Sequence, residues 1–201
     1  MNPLPGETGP GHVFWLFGLS GAGKSTLASG LARNLCQRGL AVLLLDGDVL
    51  RSGLCRDLSF ADVSRTENIR RAAEVAKLAM VQGQVVIAAL ITPRERSRQL
   101  AKEIIGPAHL DLIWVDCPLE LCRERDPKGL YRRSADGKLP HFTGVDSVFE
   151  EPGLTDLRLR TDQGTPNTSG EELANYCRLR LPPSSLKQMS AVELLRVRLG
   201  F

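Results

Sequence analysis

The hydrophobic pattern of the chain alternates between short apolar runs and longer segments in which apolar residues recur every three or four positions. The first four runs are almost wholly apolar, which is typical of strands buried on both faces of a parallel sheet. The longer segments are typical of amphipathic helices. The predicted strands are 13–17, 41–45, 85–91, 110–115 and 157–160. This alternation predicts an α/β fold, a doubly wound parallel sheet with helices on both faces and right-handed crossovers.

Capping signals and breakers set the bounds of the predicted helices. Ser64 is expected to cap one long helix, and Ser169 with Glu172 fits a capping box that opens another. The first predicted helix ends near Gly39, and the next four lie at 64–82, 94–105, 119–125 and 169–181. A last predicted helix lies in the tail at 186–199.

The stretch 126–152 has no periodicity and is rich in Gly, Pro and charged residues. A loop of this length inside a compact domain usually serves the function of the protein, often as a lid. We therefore predict a single domain over 12–181 with its lid at about 126–152. A flexible leader at 1–11 precedes this domain, and a helical tail at 182–201 follows it.

Composition narrows the choice of partner. The 201 residues carry a net charge of +3, which suits anionic small molecules but is too weak to predict nucleic-acid binding. No segment approaches the roughly 18 consecutive apolar residues of a membrane span, so we expect no membrane partner. The five cysteines include no C-x-x-C pair, which favours a reducing compartment, the cytoplasm, over a disulfide framework or a zinc site.

The sequence at 18–26 reads GLSGAGKST, which is the G-x-x-x-x-G-K-[ST] phosphate-binding loop between a predicted strand and a predicted helix. Glycines let backbone N–H groups converge on one anion, and the positive end of the following helix adds to that field. Lys24 is expected to reach the β- and γ-phosphates of ATP, and the Ser25 hydroxyl to bind Mg²⁺. The expected ATP ligands are Gly18, Ser20, Gly21, Ala22, Gly23, Lys24, Ser25 and Thr26.

This loop places the fold in the P-loop nucleoside triphosphate hydrolase type and leaves open a kinase, a GTPase and a motor-type ATPase. A GTPase is disfavoured because the [N/T]-K-x-D guanine motif does not occur. A motor-type ATPase is disfavoured because no later apolar strand ends in Asp-Glu. A small chain with a lid favours phosphoryl transfer to a small acceptor, whose hydroxyl must be oriented or deprotonated.

Two carboxylates, Asp46 and Asp48, follow the second predicted strand, at the sheet edge where doubly wound folds bind ligands. In an extended chain, residues two apart share one side, so we expect both carboxylates to face the site. We assign Asp48 the role of catalytic base and metal ligand because it lies further into the site. A simple Asp-Gly turn is the alternative.

A polar set and two aromatic rings complete the candidates. The polar set includes arginines, whose planar guanidinium groups match phosphate or sulfate oxygens. The alternative, which is equally expected, is that these residues form a solvated helix face and pair with acidic neighbours. The rings of Phe60 and Phe142 stand in polar loop sequence, where they could enclose a base or anchor the loops in the core. The polar set is Arg51, Arg65, Asn68 and Arg71.

Taken together, these segments resemble the adenylylsulfate kinase (APS kinase) family. The matching stretches are GLSGAGKST at 18–26, LDGDVLR at 45–51, DLSF at 57–60, RTENIRR at 65–71, AEVAKL at 73–78, RDPKGLY at 125–131 and FTGVDS at 142–147. The resemblance implies that ATP, with Mg²⁺, phosphorylates the 3′-hydroxyl of adenosine 5′-phosphosulfate (APS). The products would be ADP and 3′-phosphoadenosine 5′-phosphosulfate (PAPS).

The resemblance also implies roles for single residues. Lys24 and Asp48 would be catalytic, Ser25 and Asp48 would bind the metal, and the two phenylalanines would stack on the substrate adenine. Small molecules are then the expected partners, and we expect the protein to be a homodimer. The implied APS-binding residues are Asp48, Arg51, Phe60, Arg65, Asn68, Arg71, Ile91, Thr92, Lys128, Phe142 and Thr143.

The chain departs from the family pattern at 90–93, where LITP replaces the usual FISP. The family serine could carry a phosphate, and Thr92 keeps a hydroxyl, but direct in-line transfer needs neither. We therefore expect no covalent step. Two alternatives stay open: another small P-loop kinase that acts on a sugar or nucleoside, and a nucleotide-binding regulator without turnover.

Overall fold

The computed structural model describes residues 11–138 and 142–181, which are built around a five-stranded parallel sheet. The strands are β1 (Val13–Phe17), β2 (Val42–Asp46), β3 (Val85–Ala89), β4 (Leu110–Asp116) and β5 (Leu157–Arg160). Their order across the sheet is β2-β3-β1-β4-β5, and every pair is parallel. This topology confirms the predicted α/β fold. The predicted tail helix and nearly all of the predicted leader lie outside the described residues.

Helices cover both faces of the sheet, as predicted. The helices α3 and α4 pack on each other over one face, and α1 and α7 pack on each other over the opposite face. In the described part of the chain, no helix combines the length and the apolar character that crossing a membrane requires. The helices are α1 (Lys24–Gln37), α2 (Gly47–Ser52), α3 (Asp62–Val81), α4 (Glu95–Ile105), α5 (Leu119–Arg125), α6 (Leu130–Ala135) and α7 (Pro166–Arg180).

The central strand β1 is buried along its whole length because it lies between β3 and β4. Its side chains alternate between the two cores. Val13, Trp15 and Phe17 join the core beneath α3 and α4, whereas Phe14 and Leu16 join the core beneath α1 and α7. Burial on both faces explains why this strand is apolar at every position.

The positions at which helices α2 and α3 begin differ from the sequence prediction. The Asp46 carboxylate caps α2 by accepting the backbone N–H of Asp48 at 2.9 Å, so the chain turns into a helix at Gly47 instead of staying extended. The helix α3 begins at Asp62, which leaves Ser64 inside the helix and not at its cap.

The capping box of α7 also differs from the prediction. Thr165 is the N-cap, and its side chain and that of Thr168 exchange hydrogen bonds with each other's backbone N–H groups. Pro166 then takes the first helical position, where its fixed φ and missing N–H are tolerated. The predicted box of Ser169 and Glu172 therefore lies one turn inside the helix. A short helix, α6, was likewise not predicted, because it lies in the lid stretch that lacks periodicity.

A buried carboxylate ties the last described helix to the sheet. Asp111 in β4 is 1% exposed and accepts hydrogen bonds from His12 Nε2 at 3.0 Å and from Arg180 Nε at 2.8 Å. Burial opposes the ionisation of Asp111, but the hydrogen bonds from Arg180 and His12 outweigh it and lower the pKa of this carboxyl to about 2. The charged group thus holds the end of α7 against the edge at which the strands begin.

The substitution Asp111→Asn should lower the free energy of unfolding by about 2 kcal/mol at pH 7, since each pKa unit corresponds to about 1.4 kcal/mol. The folded-state pKa lies below the ordinary value of 3.8. The stabilisation is therefore complete above about pH 4 and is lost as the pH falls toward 2. Urea denaturation over this pH range measures the difference from wild type. A difference that does not shrink on acidification would contradict the prediction.

Asp136→Asn is the matched control. This carboxylate pairs with Lys138 where both side chains are exposed. Its loss should change the free energy of unfolding by less than about 0.5 kcal/mol at any pH.

Candidate active site

The phosphate-binding loop passes so close to neighbouring backbone that glycine is required at two of its positions. A Cβ on Gly18 would lie 2.3 Å from the carbonyl oxygen of Val115, and one on Gly21 would lie 2.8 Å from that of Cys122. Both glycines, and Gly23 at the start of α1, have positive φ angles of 146°, 78° and 101° in chain order. The loop therefore packs tightly between the end of β4 and the middle of α5.

Lys24 is buried beneath this loop, with 8% of its surface exposed. Its Nζ donates hydrogen bonds to the carbonyl oxygens of Gly18 at 3.0 Å and Leu19 at 2.7 Å. Burial lowers the pKa of Lys24 to about 8, because the ammonium loses its water shell. A phosphate group at this loop would favour the charged form and raise the pKa again.

The two carboxylates after β2 have different partners. Asp46 accepts a hydrogen bond from the Ser25 hydroxyl at 2.6 Å, which joins it to the phosphate-binding loop. Asp48 is exposed and forms an ion pair with Lys128 of the lid. The sequence predicted both carboxylates on one side of an extended chain with Asp48 at the metal. The turn into α2 separates them.

The pairing of Ser25 with Asp46 suits a magnesium ion. Both side chains offer oxygen ligands, and Mg²⁺ is usually held by only one or two protein oxygens together with phosphates and water. In the described residues there is no cluster of three or more His, Cys, Asp or Glu side chains that could hold a metal by itself. Asp46 is thus a candidate metal ligand. The sequence predicted this carboxylate as a candidate site residue but assigned the metal to Asp48. The position of Asp46 at the end of a strand was the available signal.

A group of side chains from α2, α3 and the lid lies opposite the loop. The Arg51 guanidinium stands 4.4 Å from the centre of the Phe60 ring. Arg65 donates to the Phe60 carbonyl oxygen at 2.7 Å and to the hydroxyl of Thr143 in the lid. Asn68 is 5% exposed, and its buried Oδ1 accepts no hydrogen bond within the described structure. An unsatisfied buried amide oxygen of this kind is suited to a bound ligand.

Arg71, the fourth member of the predicted polar set, faces elsewhere. Its guanidinium donates to both carboxylate oxygens of Asp57 at 2.7 and 2.8 Å, to the Leu54 carbonyl oxygen and to Glu67. The sequence placed it with the other three because Asn68 and Arg71 are three residues apart, on one face of the helix start, and because Arg65, Asn68 and Arg71 share the resembling stretch RTENIRR.

The backbone after β3 completes one wall of the site. The N–H of Gly18 donates to the carbonyl oxygen of Ile91 at 3.2 Å. Thr92 has a φ of 42°, and its buried hydroxyl accepts a hydrogen bond from Trp15 Nε1 at 2.9 Å. Arg98, which is fully buried, donates to the Thr92 carbonyl oxygen and to the backbone at the end of the lid. Sequence reasoning missed Arg98 because it stands among other charged residues in α4.

The described part of the predicted lid contacts the phosphate-binding loop. The Tyr131 hydroxyl in α6 donates to the carbonyl oxygen of Ser20 at 3.0 Å. The Phe142 ring packs edge-on against Tyr131 with 4.9 Å between ring centres, and it is 6% exposed. Phe142 is therefore a core residue that also lines the cavity, and its contact with a base stays a prediction.

One cavity of about 700 Å³ joins the loop to the opposing group. Three of the predicted residues do not line it: Gly18, Arg71 and Thr143. The predicted residues that do are Ser20, Gly21, Ala22, Gly23, Lys24, Ser25, Thr26, Asp48, Arg51, Phe60, Arg65, Asn68, Ile91, Thr92, Lys128 and Phe142.

A further wall of the cavity was not predicted. Its residues come from the end of α5, the lid, the turn after β5 and the start of α7. Three of them stand in the resembling stretch RDPKGLY at 125–131, but the sequence assigned a site role only to Lys128 in that stretch. Thr161 anchors this wall, since its hydroxyl donates to the Ala22 carbonyl oxygen at 3.0 Å and its own carbonyl accepts Arg125 at 2.8 Å. The residues are Arg125, Pro127, Leu130, Arg133, Thr161, Gly164, Thr165, Pro166 and Ser169.

Comparisons with known proteins identify the family of the chain. The adenylylsulphate kinase family model matches residues 10–160. The chain is 47% identical over 170 residues to the adenylyl-sulfate kinase of Pseudomonas aeruginosa, across 85% of this chain and 87% of that protein. It is 50% identical over 163 residues to the adenylyl-sulfate kinase of Paraburkholderia xenovorans, across 81% of this chain and 90% of that protein.

A solved structure agrees as well. The APS kinase of Mycobacterium tuberculosis in complex with AMPPNP and APS matches with a TM-score of 0.81 at 37% identity, across 85% of this chain and 99% of that one. The family model matches most of the chain, and the phosphate-binding loop shares one cavity with a group of arginine, asparagine and phenylalanine side chains. The chain therefore belongs to the adenylylsulfate kinase family.

Proposed function

We propose that this protein transfers the γ-phosphoryl group of ATP to the 3′-hydroxyl of APS, giving PAPS and ADP. The observation that carries the proposal is the single cavity in which a phosphate-binding loop faces a second, separate set of basic, amide and aromatic groups. A phosphoryl donor and a nucleotide acceptor need two such sets. The M. tuberculosis relative was solved with AMPPNP and APS together, which supports a site that holds both a donor and an acceptor.

On the donor side, the loop and Lys24 bind the ATP phosphates. Ser25 and Asp46 are the residues that would hold Mg²⁺, whose chemistry is to neutralise charge on the β- and γ-phosphates. The unpredicted wall around Thr161 and Arg125 adjoins the loop, and it receives the ATP base. The planar Arg125 guanidinium is suited to stack on that base.

On the acceptor side, Phe60 and Phe142 enclose the APS adenine, since base-on-ring stacking is strong and needs no particular base edge. Arg51 and Arg65 pair with the phosphosulfate oxygens. The free Oδ1 of Asn68 accepts a hydrogen bond from a hydroxyl of the ribose or from the amine of the base. Thr92 does not carry a covalent intermediate, because its hydroxyl is buried against Trp15.

The transfer step uses Asp48 as the base. Its carboxylate accepts the proton of the 3′-hydroxyl as the oxygen attacks the γ-phosphorus, and the bond to the ADP oxygen breaks in line. Lys128, which pairs with Asp48, moves with the lid and adds positive charge beside the transferred group. Closure of the lid excludes water, which strengthens these charge interactions and prevents ATP hydrolysis.

ADP release with a panel of acceptors tests the proposal. ATP and Mg²⁺ are supplied with APS, AMP, a hexose or a nucleoside, and only APS should stimulate release. Stimulation by the hexose or nucleoside would favour another small-molecule kinase. ATP binding without turnover on any acceptor would favour a regulator. The homodimer and the cytoplasmic location expected from the sequence remain predictions, and light scattering measures the former.

Asp48→Asn should lower kcat by about 10²- to 10⁴-fold, the range that a general base contributes, while ATP affinity stays within a few-fold. Asp46→Asn is the comparison on the neighbouring carboxylate. It should mainly raise the Mg²⁺ concentration needed for half-maximal rate. Steady-state kinetics across a magnesium titration separates the two effects. Near-native turnover of Asp48→Asn at saturating Mg²⁺ would show that another group is the base.

Phe60→Ala should raise the KM for APS about tenfold or more, because stacking on one ring contributes roughly 1–3 kcal/mol. This ring is 45% exposed, so its truncation should leave the fold intact. The control is Leu54→Ala, which removes a side chain of similar exposure, 49%, from outside the cavity. The KM for ATP should stay unchanged in both variants. Equal APS affinity in Phe60→Ala and wild type would refute the stacking role.

The affinity for ATP should weaken as the pH rises above about 8, by as much as tenfold per pH unit, because Lys24 must then take up a proton to pair with phosphate. Below that pH the lysine is already charged, and affinity should be flat. Lys24→Arg keeps the charge at all of these pH values, so its affinity should show no such slope. Calorimetric titration of ATP from pH 7 to pH 9.5 measures both. Parallel slopes would rule out Lys24 as the titrating group.

A further inference from the structure

The segment 53–60 joins α2 to α3 and carries Phe60 to the cavity. It consists of turns, held by hydrogen bonds such as that from the Cys55 N–H to the Leu50 carbonyl oxygen at 2.8 Å. Cys55 is fully buried in the core beneath α3 and α4. This side chain anchors the first half of the segment, and Phe60 lies five residues further along.

Arg71 supplies a second anchor from α3. Its fork binds both oxygens of Asp57, and the same guanidinium binds the Leu54 carbonyl oxygen at 2.9 Å. Its Nε donates to Glu67, one turn earlier in the helix, at 2.9 Å. Two-point pairing of this kind gives a defined geometry that a single point charge does not.

The acidic partners of Arg71 are held in the charged form. The hydrogen bond from Arg71 lowers the pKa of Asp57 below its ordinary range. Hydrogen bonds from Arg70 and then from Arg71 lower the pKa of Glu67 to about 2. The network therefore persists across the neutral pH range in which a cytoplasmic enzyme would work.

The anchored segment supports the acceptor side of the cavity. The carbonyl oxygen of Ser59 accepts a hydrogen bond from Arg51 at 3.2 Å, and Phe60 lies beneath the same guanidinium. Arg71 itself does not line the cavity. A loss of the Asp57 contact would thus loosen the backbone that carries Phe60 and orients Arg51.

We propose that Arg71 is a positioning residue, which binds the segment 53–60 to α3 and so sets the places of Phe60 and Arg51, and that it does not bind the acceptor. This proposal rests on the proposed APS kinase function. Because Asp57 is 56% exposed and Arg71 is 26% exposed, their pair contributes little to global stability. Loss of the pair therefore acts locally. It weakens the binding of the acceptor and leaves the binding of ATP unchanged.

Kinetics of Arg71→Met, Asp57→Asn and the double variant test the proposal. Each single variant should raise the KM for APS by about tenfold, as loosened support misplaces the binding groups, with the KM for ATP unchanged. The double variant should be no worse than either single one, since both remove the same contact. Arg70→Met is the control, because this neighbouring arginine pairs with Glu67 and Glu74 but not with the segment.

The variant Asp57→Asn distinguishes the two roles for Arg71. If Arg71 bound the phosphosulfate directly, Asp57→Asn would release it and leave the KM for APS unchanged or lower. That result, with a raised KM in Arg71→Met, would overturn the proposal. So would an unchanged KM for APS in both variants.

Amide hydrogen exchange of the free protein gives a readout that does not depend on activity. The amides of 53–60 should exchange faster in Arg71→Met and Asp57→Asn, but not in Arg70→Met. Unchanged exchange in the first two variants would overturn the anchor. If wild type failed to turn over APS, the proposed function would be wrong, and the exchange result would still decide whether the anchor exists.

Discussion

Close packing of glycine backbone against the end of β4 and the middle of α5 is the constraint on which the rest of the site depends. No side chain can occupy Gly18, because the carbonyl oxygen of Val115 lies where a Cβ would be. Because of this contact, the loop lies against the edge of the sheet at which the strands end, and α1 begins at that same edge. The contact also buries Lys24, whose lowered pKa is a direct consequence.

The start of helix α2 gives two neighbouring carboxylates different partners. Asp46 ends β2 and caps α2, and its carboxylate therefore stays beside the loop serine. Asp48 lies in the first turn of α2 and reaches the lid instead. Two carboxylates that are neighbours in sequence thus occupy separate positions, as the proposed roles at a metal and at an acceptor hydroxyl require.

Arginines hold together the parts of the site that lack regular structure. Arg98 is buried and binds the carbonyl oxygen of Thr92, which follows β3, and that of Glu150 at the end of the lid. Arg65 connects the Phe60 backbone to the lid hydroxyl of Thr143. Arg71 fastens the segment between α2 and α3. Each has several donors in a rigid plane, and so can satisfy loop carbonyls that no strand or helix pairs.

The sequence alone determined the sheet, its covering helices and the phosphate-binding loop, because each depends on local signals: apolar runs, helical period and a motif with its strand and helix. It also identified about half of the residues that line the cavity, through the phosphate-binding motif and the segments that resemble APS kinases. Only the tertiary structure decided that Asp46 and not Asp48 accompanies Ser25, since this follows from a helix cap that competes with extended chain. It also decided that Arg71 pairs with Asp57, and that Thr161 and its neighbours form a wall of the site. Those relations join residues distant along the chain, and no local pattern specifies which of several possible partners a charged side chain will meet.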